Sequence, residues 1–419
     1  MTPSSSDQAG ARFRAMLLDD VIPFWIEHGW DREHGGMMTC LDRDGSLVDS
    51  DKSVWFQGRS CWMFATLYNT VAPDPLWLEV AQSCADFLDA HGSQEIDLSQ
   101  QLHAHPQAPI PKLYFSLTRD GRPLRMRRYY YSESFASIAY AAMAKATKKE
   151  HYRTAAIRML EVFLRSFLEP GLVPPKSDPR TRPMRGIGPW MIALATAQEL
   201  RANLGDVPVH SRTCTEWIER CIQEIESVFY KPDHAVLMEV VGPEGEIIDH
   251  QEGRQLNPGH AIECAWFVLH EAKHRNDPKL IQLGTAILDA MWERGWDSEY
   301  GGLFYFRDLY GKPVQEYWHD MKFWWPHCEA IIATQLAADL TREDRYIRWH
   351  EQGWTWSTEH FSDPEYGEWY GYLHRDGRLS NTLKGSIWKG PFHLPRMLWY
   401  CSGYPSREPS SNIAPIDAR

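Results

Sequence analysis

The chain has 419 residues, and its 43% hydrophobic and 24% charged residues are those of a globular protein with a sizeable core. Its formal net charge of -12 excludes nucleic-acid binding as a main task, because phosphate contacts need a cationic face. No run of 18 apolar residues occurs, and no apolar stretch follows the polar start Met1 to Gly10. We therefore expect a cytoplasmic protein that binds neither membrane nor nucleic acid.

The eight cysteines form no CxxC pair and lie mostly inside apolar stretches. This pattern predicts reduced, buried thiols. The sequence contains one HExxH run, His270-Glu-Ala-Lys-His274, but no acidic triad, no phosphate loop and no dinucleotide fingerprint. We predict no metal site and no consumed cofactor.

A repeat runs along the chain. Three segments are closely similar, namely Gly29-Trp-Asp-Arg-Glu-His-Gly-Gly36, Gly295-Trp-Asp-Ser-Glu-Tyr-Gly-Gly302 and Phe361-Ser-Asp-Pro-Glu-Tyr-Gly-Glu368. Each precedes a strand-like run and an Asp/Gly turn, which predicts a hairpin. Two further runs end in the same turn, so turn glycines stand at residues 45, 121, 245, 311 and 377.

The gaps between these glycines are 76, 124, 66 and 66 residues. The gap of 124 residues is twice 62, which predicts a degenerate copy of the repeat near residue 183, with remnants at residues 171–175 and 182–186. The chain would then contain six units of about 65 residues. Helix-periodic stretches lie between the hairpins, for example at residues 76–90, 257–273 and 279–293.

Six helix pairs closing on themselves make an all-α protein, an (α/α)6 barrel with short β-hairpins at one rim. We predict one domain over residues 11–405, between a disordered tail at 1–10 and a flexible tail at 406–419.

Four polar residues follow the turn glycines at nearly constant distance: Arg59 by 14 residues, His260 by 15, Glu329 by 18 and His393 by 16. Each falls in the first turn of the helix after a hairpin. We therefore expect them to converge on one rim, together with tryptophans whose flat faces suit a pocket, namely Trp55, Trp325 and Trp388.

His260 follows Asn257, which can cap the helix, and Pro258, which can open it, and it has Glu263 on its face. A helix start favours the neutral imidazole that a general base requires. The alternative is a capping histidine bonded to Glu263. Pro391 and Pro395 stiffen the backbone around His393, whose alternative role is packing at a junction.

Glu329 lies two residues after His327, so the two cannot share a helix face. We predict that Glu329 faces the pocket and that His327 makes a supporting hydrogen bond. A buried carboxylate needs a partner, and Arg59 is the predicted cation, although a purely structural salt bridge is the alternative.

Several ordered motifs closely resemble the N-acylglucosamine 2-epimerase (renin-binding protein) family. They are residues 31–36, 55–59, 132–135, 257–260 with Glu263, 321–327 with Glu329, 363–369 and 392–396. The resemblance implies an (α/α)6 barrel, a homodimer and interconversion of N-acetylglucosamine and N-acetylmannosamine. It also implies His260 and His393 as catalytic histidines, with Arg59 and Glu329 as the essential arginine and glutamate.

The resemblance further implies activation by ATP, which is not consumed. The matching basic loop would hold the phosphates with Lys176, Arg180, Arg182 and Arg185, whereas the alternative is a solvated basic loop.

The predicted reaction removes the C2 proton of an open-chain sugar and returns a proton to the opposite face with two histidines. Rival hypotheses are a mannose or glucose 2-epimerase, a cellobiose 2-epimerase or an aldose–ketose isomerase. An inverting glycosidase would need two carboxylates instead of a histidine pair. A non-catalytic protease-binding protein is the alternative from another class.

Overall fold

The computed structural model describes residues 5–96, 110–126, 130–169, 172–173 and 177–404. The helices are α1 Ser5–Ala15, α2 Ile22–Phe24, α3 Val54–Thr70, α4 Pro75–His91, α5 Tyr131–Thr147, α6 Glu150–Leu168, α7 Gly188–Leu204, α8 Cys214–Glu224, α9 Gln251–Arg254, α10 Pro258–Arg275, α11 Pro278–Gly295, α12 Trp324–Thr341, α13 Asp344–Phe361 and α14 His393–Cys401. Short π-helical segments at Met16–Val21, Trp25–Gly29 and Ile225–Phe229 extend some of them.

The strands are short and antiparallel. They are β1 Cys40–Leu41, β2 Leu47–Asp49, β3 Lys52–Ser53, β4 Ser93–Ile96, β5 Ile110–Leu113, β6 Ser116–Leu117, β7 Pro123–Arg125, β8 Arg185–Gly186, β9 Pro208–Val209, β10 Arg212–Thr213, β11 Tyr230–Lys231, β12 Val236–Leu237, β13 Val240–Val241, β14 Gln255–Leu256, β15 Arg307–Asp308, β16 Lys322–Phe323 and β17 Tyr372–Leu373.

The chain divides into two compact units. Unit 1 comprises Met1–Lys176, Thr196–Glu216 and Leu383–Arg419, and unit 2 comprises Ser177–Ala195 and Trp217–Thr382. In unit 1, α3 packs on α4 and α5, and α5 packs on α6. In unit 2, α10 packs on α11 and α12, and α12 packs on α13. Each unit is thus built from the same arrangement of helix pairs.

Within each pair the first helix is almost wholly buried, and the second has one exposed face. Such a helix has an apolar stripe towards the core and polar residues towards solvent. The buried cores contain large side chains, including Trp62 in α3 and Trp324 in α12. Burial of each such side chain contributes about 1.5–3 kcal/mol relative to exposure.

Helix ends follow local chemistry. The Asn257 side chain accepts a hydrogen bond from the His260 backbone N–H at 3.1 Å and caps α10, with Pro258 in its first turn. After α10, Asn276 adopts a left-handed conformation, and Asp277 caps α11. The predicted helices at 76–90, 257–273 and 279–293 correspond to α4, α10 and α11.

All five turn glycines have positive φ, between 75° and 90°. The strands of the predicted hairpins pair with each other only in part, as in β1–β2 and β6–β7. Elsewhere a two-residue strand just before a buried helix pairs with a strand of the following repeat, as in β3–β6, β8–β13, β14–β15 and β16–β17. These pairings tie the start of each buried helix to the neighbouring repeat.

Strand β8 lies in the predicted degenerate copy near residue 183, although Gly171, Pro174 and Pro175 lie outside the described residues. Helix α1 begins at Ser5, within the segment predicted as a disordered tail. Residues 406–419 are not among those described, and the single domain over residues 11–405 stays a prediction. All eight cysteines are thiols, and seven are buried. Among the described helices, none has the length and hydrophobicity needed to cross a membrane.

Candidate active site

His260 lies in the first turn of α10, in unit 2. Gly259 beside it has no side chain, and a Cβ there would lie 2.7 Å from the Trp325 ring. The start of α10 therefore packs closely on the start of α12, and the His260 and Trp325 rings lie 5.1 Å apart. Trp325 in turn contacts Tyr305 edge-on, with ring centroids 6.0 Å apart. These aromatic rings form one wall beside the histidine.

The His260 Nδ1 lies 3.1 Å from both carboxylate oxygens of Glu239. Burial lowers the pKa of His260, but the charge and hydrogen bond of Glu239, with the charges of Glu263 and Glu329, raise it above its ordinary value. The sequence-based expectation that the helix start keeps this imidazole neutral is therefore wrong in direction. The three carboxylates favour the protonated imidazole by more than burial disfavours it. The predicted bond partner, Glu263, is buried and acts here through its charge.

Glu239 is the residue that sequence analysis missed. It lies between β12 and β13, in the run Val236-Leu-Met-Glu-Val-Val241. A single carboxylate in an otherwise apolar strand-like run was the available signal, because a charge in such a place needs a partner.

Glu329 is fully buried on α12, and its carboxylate accepts a hydrogen bond from the Trp266 indole N–H at 2.7 Å. His327, two residues earlier, is also buried and has different partners. Its Nε2 accepts from the Leu303 backbone N–H at 2.9 Å, and its Nδ1 lies 2.6 Å from the Phe323 carbonyl oxygen. Burial lowers the pKa of His327 to about 3, so this imidazole is neutral. His327 holds backbone in place.

Arg59 lies on α3, in unit 1. Its guanidinium carbon is 4.1 Å from the Phe135 ring centroid, 4.8 Å from Phe392 and 4.9 Å from Trp55. The guanidinium also donates to the Trp388 carbonyl oxygen at 3.4 Å. Cation–π contacts with three rings restrain the guanidinium and surround its charge with aromatic side chains.

His393 opens α14, also in unit 1, and is 7% exposed. Its Nδ1 lies 3.4 Å from an Arg396 guanidinium nitrogen. The ring of Phe392, its neighbour in sequence, is contacted by the guanidinium groups of both Arg59 and Arg396, at 4.8 and 4.5 Å from the ring centroid. Unit 1 thus brings His393 and Arg59 against one phenyl ring.

Trp388 and Trp55 extend this aromatic cluster. Their ring centroids are 5.4 Å apart, and the Trp55 indole N–H donates to the Ile387 carbonyl oxygen. Trp388 is 41% exposed, which makes it an accessible apolar face beside Arg59. An exposed indole face of this kind suits the C–H patches of a sugar ring.

The arginines of the basic loop already have acidic neighbours. Arg180 pairs with Asp178, Arg182 lies 3.4 Å from Glu252, and Arg185 pairs with Glu224 at 2.7 Å. Lys176 lies outside the described residues. A polyanion at this loop would have to compete with these carboxylates.

The predicted site residues therefore form two groups. Unit 2 brings together His260, Glu263, Glu329 and Trp325, and unit 1 brings together Arg59, His393, Trp55 and Trp388. A histidine with a carboxylate partner can move protons, and a guanidinium held in apolar surroundings can stabilise a developing oxyanion. The ion pair predicted between Arg59 and Glu329 stays a prediction.

The chain is similar to known proteins over most of its length. The profile of a family described as N-acylglucosamine 2-epimerase (GlcNAc 2-epimerase) matches residues 35–393. The chain is 36% identical over 393 residues to the N-acylglucosamine 2-epimerase of Bos taurus, covering 92% of this chain and 89% of that protein. It is 34% identical to the human enzyme of the same name, covering 92% and 87%. A cellobiose 2-epimerase of Bacteroides fragilis is 21% identical, covering 91% and 95%.

Solved structures show the same fold. The cellobiose 2-epimerase of Bacillus thermoamylovorans superposes with a TM-score of 0.77 at 20% identity, covering 95% of this chain and 99% of that one. A D-mannose isomerase superposes with a TM-score of 0.74 at 18% identity, covering 96% and 99%. The predicted all-α, (α/α)6-barrel class is confirmed by this likeness.

Proposed function

The chain belongs to the N-acylglucosamine 2-epimerase family, and from this premise we propose that it interconverts N-acetyl-D-glucosamine and N-acetyl-D-mannosamine. It is thus an isomerase that acts on a carbohydrate. The observation that carries the choice of substrate is the higher identity, over almost the whole chain, to relatives named for N-acylglucosamine than to those named for cellobiose.

In the proposed reaction the enzyme binds the open-chain aldehyde and His260 removes the C2 proton. The electron pair of the C–H bond moves towards the C1 oxygen and gives an enolate. His393 then returns a proton to C2 from the opposite face. Each general acid–base group of this kind contributes about 10² to 10⁴ in rate.

Arg59 has the role of stabilising the negative charge on the C1 oxygen. Its guanidinium is held by three rings, so it needs no reorganisation as the charge develops. Glu263 and Glu329 balance the charge that His260 gains when it takes the proton. Trp55, Trp325 and Trp388 supply apolar faces for the sugar.

The test of the reaction is proton NMR in D2O with purified protein and four sugars, namely N-acetylmannosamine, N-acetylglucosamine, mannose and cellobiose. We expect epimerisation of the two N-acetyl sugars with deuterium entering C2 of the product. Turnover of mannose to fructose, or of cellobiose in preference to the N-acetyl sugars, would replace this proposal with one of the rival activities. No turnover of any sugar would favour the non-catalytic alternative.

A second test distinguishes a mechanism with two histidines, one for each face of C2, from a mechanism with a single mobile base. If each histidine serves one face of C2, His260→Asn and His393→Asn should each abolish net epimerisation but leave C2 exchange from opposite epimers. A single mobile base would instead return some of the original hydrogen to the product. Full epimerisation surviving in either variant would contradict the two-histidine mechanism.

We also propose a homodimer, a cytoplasmic location and activation by ATP that is not consumed. Support for the nucleotide is limited to the cluster of Arg180, Arg182 and Arg185, whose acidic partners ATP would have to displace. Activity with and without ATP, in the wild type and in Arg182→Ala, tests the effector. Sedimentation velocity tests the dimer.

A further inference from the structure

We propose that Glu239 is a positioning residue for the epimerisation, and that it fixes which nitrogen of His260 meets the C2 proton. The inference rests on the proposed function, because it names a partner for the base of that reaction. Its geometric basis is the contact of both Glu239 carboxylate oxygens with His260 Nδ1, each at 3.1 Å.

A carboxylate can only accept, so the Nδ1 of His260 carries the hydrogen in this contact. The neutral imidazole therefore has its lone pair on Nε2. Since a histidine base needs a lone pair directed at the proton it takes, the carboxylate selects the tautomer that can act. It also stabilises the imidazolium that forms when the proton arrives.

The backbone of Glu239 is well placed to hold the carboxylate still. Its carbonyl oxygen accepts from the Ile187 backbone N–H at 3.0 Å, and its neighbour Val240 pairs with Gly186 across β8–β13. On its other side, the Met238 backbone N–H donates to the Phe229 carbonyl oxygen. Two backbone pairings therefore support one side chain. Such support is what distinguishes a positioned carboxylate from an exposed one that meets a histidine by chance.

Other charged groups also face His260. Glu263 lies on the same helix and Glu329 on α12, and the charges of both raise the pKa of His260. Among the carboxylates, Glu239 has the largest effect in raising the pKa of His260, and its effect includes a hydrogen bond. Removal of its charge should therefore lower the pKa of His260 while Glu263 and Glu329 keep part of the effect.

The test compares Glu239→Gln with a matched control, Glu246→Gln, in the wild-type background. Glu246 is an exposed glutamate of the same hairpin, and its carboxylate accepts from the Glu244 backbone N–H. The first readout needs no substrate: NMR titration of 15N-labelled histidine in the resting protein. In Glu239→Gln we expect the His260 titration midpoint to move to lower pH, and the Nδ1–H signature to weaken. Glu246→Gln should leave both unchanged.

The second readout is the pH profile of turnover with N-acetylmannosamine. For metal-bound histidines, loss of such a supporting carboxylate costs about 10–100-fold in activity, and we expect a loss of the same order here. We expect that loss in kcat for Glu239→Gln with little change in KM, and a shift of the acidic limb of kcat/KM to lower pH. Glu239→Asp keeps the charge on a shorter side chain and should recover part of the activity.

An unchanged His260 midpoint in a folded Glu239→Gln protein would overturn the proposal, as would an equal effect of Glu246→Gln. These results are distinct from failure of the proposed function. That failure would appear as a wild type that turns over no N-acetyl sugar while the His260 titration still responds to Glu239.

Discussion

A sharp test of the fold is substitution of His327, because the same task is performed by a different residue elsewhere in the chain. His327 accepts from the Leu303 backbone N–H and lies against the carbonyl of Phe323, four residues earlier. In unit 1 the side chain of Gln57 accepts from the Met37 backbone N–H at 2.7 Å and donates to the Ser53 carbonyl, also four residues earlier. Glutamine therefore reproduces both bonds. We expect His327→Gln to be tolerated and His327→Leu to be destabilising.

The magnitudes follow from burial. His327 is 1% exposed, so leucine would leave the Leu303 N–H and the Phe323 carbonyl without this partner in a dry site. Each such group costs about 1–3 kcal/mol, which predicts a loss of about 2–6 kcal/mol for His327→Leu. The His327 ring also stacks on Trp356 at 4.8 Å, and its loss in His327→Gln should cost about 0.5–1.5 kcal/mol.

The pH dependence adds an independent signature. Because burial lowers the pKa of His327 to about 3, the unfolded chain binds more protons than the folded chain between about pH 3 and the ordinary histidine value of 6.5. Stability therefore falls as the pH falls below 6.5, by about 1.4 kcal/mol per pH unit. Glutamine does not titrate, so His327→Gln should gain about 2 kcal/mol relative to the wild type between pH 8 and pH 5.

Urea unfolding followed by circular dichroism at pH 8, 6.5 and 5 measures both effects. Gln57→Leu is the matched control, since it removes the equivalent bonds without removing a titrating group. Gln57→Leu should be destabilised about as much as His327→Leu. Its free energy of unfolding should differ from that of the wild type by the same amount at pH 8, 6.5 and 5. Two results would refute the assigned role of His327: a His327→Gln protein that unfolds as easily as His327→Leu, or a stability difference between His327→Gln and the wild type that is the same at pH 8 and pH 5.

Three further substitutions test the site and its support. Arg59→Lys keeps the charge but loses the planar, ring-stacked fork, so kcat/KM should fall by about 10² or more in the epimerisation assay, and near wild-type turnover would exclude the proposed role. Gly259→Ala places a Cβ 2.7 Å from the Trp325 ring, so we expect lower kcat with a loss of about 1–3 kcal/mol in stability, and unchanged kinetics would show that Trp325 moves freely. Asp297→Asn leaves Lys322 buried without its charge partner, which should cost about 3–5 kcal/mol by thermal unfolding at pH 7. Because hydrogen bonds from Arg375 and Lys322 outweigh burial and hold the pKa of Asp297 below its usual range, that difference should shrink in acid.

Much of the architecture is encoded in short motifs that sequence analysis can detect. A turn glycine recurs because those turns need positive φ, and all five predicted glycines have it. Asn257 and Pro258 predict the start of α10, since a cap and a first-turn proline satisfy the free backbone groups there. The predicted first-turn position is confirmed for His260 in α10 and His393 in α14, whereas Arg59 and Glu329 are the sixth residues of α3 and α12 and lie in the second turn.

Other features depend on contacts distant in sequence. The Glu239 carboxylate meets His260 only because two strand pairings bring its backbone there, and a lone glutamate in an apolar run does not reveal that partner. The ends of α5, α10 and α12 use Lys148, Asn276 and Arg342 in left-handed conformations instead of glycine. No glycine marks these helix ends, and of the three residues only Asn276 is of a type that commonly replaces glycine there.

In the three similar segments, equivalent backbone N–H groups donate to side chains that lie at different positions in the sequence. The backbone N–H groups of Met37, Leu303 and Trp369 are equivalent in the repeat, and their acceptors are Gln57, His327 and Glu368. In the last copy the acceptor comes from the segment itself, at a residue with φ of 54° where the other copies have glycine. A left-handed conformation of a residue with a side chain costs about 1–2 kcal/mol. That cost is offset by satisfying a buried N–H.

Helix geometry explains why a residue that holds the backbone and a predicted catalytic residue can lie only two positions apart. The residues two positions after the first two acceptors are Arg59 and Glu329. Side chains two apart on a helix point in different directions, so the acceptor faces the neighbouring backbone while the second residue is directed elsewhere. The acceptor side chains hold backbone and pack in the core, so substitutions there should change stability more than turnover. Arg59 and Glu329, two residues later, do not bind these backbone N–H groups. Substitutions at Arg59 and Glu329 should therefore change turnover more than stability.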